Sequence, residues 1–89
     1  MAIWIDVRTP EEFAQGHVRG SINIPYEIIG SEIEAVTKDV DGDIRVYCRA
    51  GRRSGVAKDT LNGLGYSNVT NEGAYDDLVK RKEAGEDIP

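Results

Sequence analysis

Cysteine and histidine are almost missing from this chain, with one of each in 89 residues. A lone thiol excludes an internal disulfide framework, a CxxC redox pair and a cysteine-built zinc site. With no carboxylates at ligand spacing around the one histidine, His17, neither a metal nor any other cofactor is expected. No apolar run approaches the roughly 18 residues of a membrane-spanning helix, so no membrane partner is expected. Basic residues are outnumbered, 11 Lys and Arg against 16 Asp and Glu, for a net charge of −5. That balance argues against nucleic acid and anionic lipid surfaces as partners. No basic n-region and no apolar h-region precede Ile3. The expectation is therefore a cytoplasmic protein, or a periplasmic one if the chain is a trimmed mature form.

What is present is an ordinary globular composition, 39% hydrophobic with ten glycines. The length suits a single domain over residues 1–89 with an adequate rather than generous core, and the polar stretch 83–89 reads as a frayed tail. Such a small, charged domain is expected to be a monomer.

Strand and helix signals alternate along the chain. Ala2 to Val7 is a short run rich in isoleucine and valine that reads as a buried strand. Thr9-Pro10-Glu11-Glu12 opens a brief helix, with Thr9 as N-cap, Pro10 at the first position and Glu12 at the capping-box position, and Gly16 ends it. Ser21 to Ile24 is a second strand, closed by Pro25. Ile29, Ile33, Val36 and Val40 share one face of an amphipathic helix. After an Asp41-Gly42-Asp43 turn, Ile44 to Tyr47 forms a third strand that delivers Cys48 at its carboxyl end. A loop from Arg49 to Arg53 leads into a helix from about Ser54, whose apolar face is read as Val56, Thr60 and Leu64 with Ala57 and Leu61. Gly65 stops it. Asn68 to Thr70 is a short strand and Gly73 a turn. Tyr75, Leu78 and Val79 mark a last helix, acidic at its start and basic at its end, as the helix dipole prefers. This alternation predicts an α/β fold of three layers, a small, mostly parallel sheet covered by helices on both faces. Ligands of such sheets gather beyond the carboxyl ends of the strands, where Cys48 falls.

The segment Cys48-Arg49-Ala50-Gly51-Arg52-Arg53-Ser54 carries the chemistry. A thiol at a strand end, facing a tight loop and a helix N-terminus, meets backbone N–H groups and the positive end of the helix dipole. Both favour thiolate. Three arginines within five residues act in the same direction and concentrate basic charge in an otherwise acidic protein. The same features would hold an anion beside the sulfur. The site therefore calls for a nucleophilic cysteine and an anionic substrate. Four residues separate Cys48 from Arg53, one fewer than in a cysteine-phosphatase loop. The smaller cradle fits the terminal sulfur of a thiosulfate-like donor better than a phosphate.

Four motifs in order then resemble the single-domain rhodaneses, a family of sulfurtransferases, and are similar to their small phage-shock protein E type. These are Asp6-Val7-Arg8; Glu12-Phe13 with the run Gly16 to Pro25; the loop Cys48 to Arg53 with Ser54; and Gly73-Ala74-Tyr75. The resemblance spans Ile3 to about Tyr75. Ala74 and Ser21 depart from it mildly, at positions where the family often has glycine and alanine.

The resemblance implies a rhodanese-like domain in which Cys48 takes a sulfane sulfur from thiosulfate or a similar small anionic donor. The resulting persulfide would then serve cyanide or a thiol acceptor. Arg49, Ala50, Gly51, Arg52 and Arg53 would bind the donor, with Asp6, Arg8 and Ser54 in support. Arg49 and Arg52 are the preferred donor contacts. Arg53 either joins them or braces the loop through a carboxylate such as Glu72, and Arg8 either attracts anions or forms a local ion pair, with Glu12 for instance. His17, between a glycine and a strand, reads as a structural residue rather than a base. A persulfide carrier serving a protein partner is the second reading. A cysteine phosphatase or arsenate reductase is the third.

Overall fold

The computed structural model describes residues 1–89, all of the chain. Four strands and four helices alternate: β1 (Ile3–Asp6), α1 (Pro10–Gln15), β2 (Ile22–Asn23), α2 (Ile29–Val36), β3 (Ile44–Cys48), α3 (Arg52–Gly63), β4 (Val69–Ala74) and α4 (Tyr75–Glu83). The sheet order is β2-β1-β3-β4 and every pairing is parallel. No helix is long and apolar enough to cross a membrane.

Because successive side chains of a strand point to opposite faces, β1 and β3 build two cores at once. Ile5, Val7, Ile44, Val46 and Cys48 face α2 and α3, meeting Ile29, Ile33, Ala57 and Leu61. Trp4 and Tyr47 face the other way, against Val18, Leu78 and Ile88. The three-layer expectation thus holds, with a sheet that is wholly parallel. The Thr9–Glu12 capping box forms as the sequence reads, each side chain meeting the other residue's backbone N–H.

The structure departs from the sequence reading at several points. The second helix ends at Val36, where Thr37 turns extended, so Val40 leaves the helical face and is exposed. α3 starts at Arg52 rather than Ser54, because Gly51 already acts as its N-cap. Its buried face is Ser54, Ala57 and Leu61, while Val56 and Leu64 face solvent. β4 runs on through Gly73, which lies in the strand and not in a turn beyond it. The tail is docked: Ile88 enters the second core, and Arg81 holds Glu86 at 3.0 Å.

Sheet order reverses between β1 and β3, since β1 connects outward to β2 and β3 to β4. The carboxyl ends of these neighbours frame the crevice that open α/β sheets use for ligands. Asp6 ends one and Cys48 the other.

Candidate active site

Cys48 is the last residue of β3 and is only 1% exposed. The chain turns over its sulfur through Arg49, Ala50 and Gly51 and enters α3 at once. Gly51 makes this turn possible with a φ of 93°, a left-handed conformation that a side chain resists. Its N–H donates to Cys48 Sγ at 2.9 Å, and the Ser54 N–H points at the same sulfur from 3.4 Å. Ser54 Oγ lies 3.3 Å away on the buried side. Burial alone pushes the Cys48 thiol up; the Ser54 hydroxyl and the N–H groups of Ser54, Ala50 and Gly51 outweigh it. The net result is a thiol held below its ordinary value.

The three arginines of the loop separate in role. Arg49 and Arg52 are exposed, and neither appears in an ion pair. Arg53 makes a two-pronged bond to Glu12, 2.8 Å from Nη1 to Oε1 and 3.1 Å from Nη2 to Oε2. It therefore braces the loop, but against Glu12, because Glu72 is engaged by Arg45 and Arg81. The Arg53 hydrogen bonds, joined by those from the Thr9 N–H and hydroxyl, hold the Glu12 carboxyl down at about 2. One carboxylate thus caps α1 and ties it to the first turn of α3.

Arg8 pairs with Asp6, not with Glu12, through Nε and Nη2, the shortest contact being 2.7 Å. It also donates to the Gly16 carbonyl and lies over the Tyr75 ring at 4.6 Å. Both members of this pair are buried. Their contacts fix the ends of β1 and α1 and make no hydrogen bond to the Cys48 loop. His17 is exposed, stacks on Phe13 and places Nδ1 2.8 Å from the Phe13 carbonyl. A structural role fits this geometry.

One contributor escapes the motif reading. Asn71, on β4, reaches Ser54 and the Gly51 carbonyl. Tyr47 faces the other side of the sheet, its buried hydroxyl accepting from the Val18 N–H and meeting Ser21 Oγ. A polar groove of about 390 Å³ opens beside the loop between Arg8, Gln15, Arg49, Tyr75 and Asp76. A larger cavity of about 860 Å³ lies at the amino ends of the strands, around Trp4, Arg19 and Arg45. Cys48 Sγ and its hydrogen-bond donors stand at the opposite, carboxyl ends.

A parallel α/β sheet with a hydrogen-bonded cysteine under a short basic loop defines a sulfur- or phosphorus-handling nucleophile class. Within that class the chain belongs to the rhodanese-like domain family, whose model matches residues 1–79. It is 44% identical over 82 residues to the thiosulfate sulfurtransferase PspE of Escherichia coli, covering 92% of this chain and 79% of that protein. A sulfurtransferase of Allochromatium vinosum is 37% identical over 67 residues, 75% of this chain and 61% of the relative. Among solved structures, a rhodanese with anions from E. coli superposes with a TM-score of 0.84 at 44% identity, over 86% of this chain and 91% of that one.

Proposed function

We propose that the protein is a thiosulfate sulfurtransferase that carries the transferred sulfur as a persulfide on Cys48. The observation that supports this most directly is the sulfur itself, buried under two loop N–H groups and a hydroxyl, with two unpaired arginines at the rim. In the first half-reaction the Cys48 thiolate attacks the outer sulfur of thiosulfate. The new S–S bond forms as the old one breaks, and its electron pair leaves with sulfite. In the second, cyanide or a thiolate attacks the outer sulfur of the persulfide, and the pair returns to Cys48 as thiolate. The loop N–H groups face negative charge on the sulfur in both halves, so they need not reorganise between them. The donors that outweigh burial favour the thiolate that this attack requires. Arg49 and Arg52 attract the donor dianion, and Arg53 keeps the loop in place through Glu12.

Initial rates of thiocyanate formation test this reading. Parallel double-reciprocal lines are expected for thiosulfate against cyanide, as a covalent intermediate requires. Arg49→Ala should raise the KM for thiosulfate and leave that for cyanide in place, and Cys48→Ala should be inactive. Intersecting lines, or turnover of an aryl phosphate in place of thiosulfate, would overturn it. Slow thiosulfate turnover beside rapid transfer to a thiol protein would replace it with the carrier reading.

A further inference from the structure

Asn71 occupies an irregular point of the sheet. Val46 pairs with Asn71 but Tyr47 pairs with Gly73, so Glu72 is an extra residue, a β-bulge. The bulge is clasped by Asn71 itself, whose Oδ1 accepts from the Gly73 N–H at 2.9 Å. That bond fixes the amide, because a backbone N–H can only donate. Nδ2 is then the atom facing the Gly51 carbonyl, to which it donates at 3.1 Å. Oδ1 also lies 2.7 Å from Ser54 Oγ.

Ser54 has one hydroxyl proton and three acceptors around it: Asn71 Oδ1 at 2.7 Å, the Gly51 carbonyl at 3.0 Å and Cys48 Sγ at 3.3 Å. While Cys48 is a thiol, its S–H can donate to Ser54 Oγ and the serine proton can rest on Asn71, the shortest of the three contacts. When the thiol proton leaves to water, the serine proton turns to the sulfur. Asn71 Oδ1 still keeps the Gly73 N–H, so neither arrangement strands a buried polar group.

We propose that Asn71 is a positioning residue that competes with Cys48 for the Ser54 hydroxyl proton and so sets how readily the sulfur becomes a nucleophilic anion. This deepens the reading of Cys48 as the reacting sulfur. Its test needs no turnover and stands apart from any failure of thiosulfate to react.

Cys48 is the only cysteine, so the pH dependence of alkylation by iodoacetamide reports this thiol alone. Asn71 is exposed but clasps the bulge, so a melting curve accompanies each substitution and only folded variants are compared. Asn71→Asp places a carboxylate on the Ser54 proton and near the sulfur, and gives up the bond to the Gly51 carbonyl, as Asn71→Ala also does. Its titration point should move up by about one pH unit, slowing alkylation about tenfold at pH values below the wild-type titration point. Asn71→Ala removes the competitor, and the titration point should move down. In a Ser54→Ala background the same Asn71→Ala change should leave it still. An upward movement in Asn71→Ala, or one that persists without the Ser54 hydroxyl, would reduce Asn71 to a brace for the loop and overturn the proposal.

Discussion

Replacing Glu12 by glutamine removes one charge and keeps the shape, which isolates the ion pair between α1 and α3. Glutamine also serves at the third position of a capping box, so the start of α1 should survive. Arg53, by contrast, loses the partner that holds it by two bonds. The carboxyl stands at about 2 in the folded protein against an ordinary 4.5. At about 1.4 kcal/mol per pH unit this would amount to roughly 3 kcal/mol. The side chains are 28% and 26% exposed, so solvent screening reduces it to about 1–2 kcal/mol. A carboxyl depressed by folding stabilises above its unfolded value and loses that contribution as pH falls through the folded one. The difference between wild type and Glu12→Gln should therefore be full at pH 7, shrink below 4.5 and vanish near 2. Urea unfolding at pH 7 and pH 3 measures it. Equal stabilities at pH 7, or a gap that stays constant down to pH 3, would refute an ion pair of this strength.

The remaining expectations concern the loop, the second core and the tail. Gly51→Ala forces a side chain onto a φ of 93° and should lower both stability, by about 1 kcal/mol or more, and Cys48 alkylation at neutral pH; unchanged alkylation would show that the Gly51 N–H is dispensable. Tyr47→Phe strands the buried Val18 N–H and should cost about 1–3 kcal/mol in denaturant unfolding. In the wild type that phenol, pushed up to about 12 mainly by burial, should stay neutral in an ultraviolet titration well above the ordinary tyrosine value of about 10. Ile88→Ala should destabilise by about 1–3 kcal/mol, whereas a free tail would leave the melting temperature where it is.

Local chemistry was legible in the sequence, and chemistry that crosses the fold was not. The Thr9–Glu12 box and the Cys48 loop are both contiguous, and each can be read from residue types a few positions apart. Arg53 finds Glu12 across 41 residues, and nothing in the pattern separates Glu12 from Glu72 as its partner. Asn71 sits in a strand that hydropathy cuts short, and the bulge that aims it at the loop exists only once β3 and β4 pair. The buried face of α3 begins with Ser54, a polar residue whose hydroxyl serves the sulfur, so apolar periodicity drifts to Val56 and Leu64. Ile88 is a single apolar residue in a polar tail and carries no period at all.

Intact mass of the protein after thiosulfate, and again after cyanide, tests the central claim most directly when Cys48→Ala is measured beside it. The account predicts a gain of one sulfur atom that cyanide removes and that the variant never shows. No gain by folded protein with its thiol reduced, or an equal gain in Cys48→Ala, would contradict it.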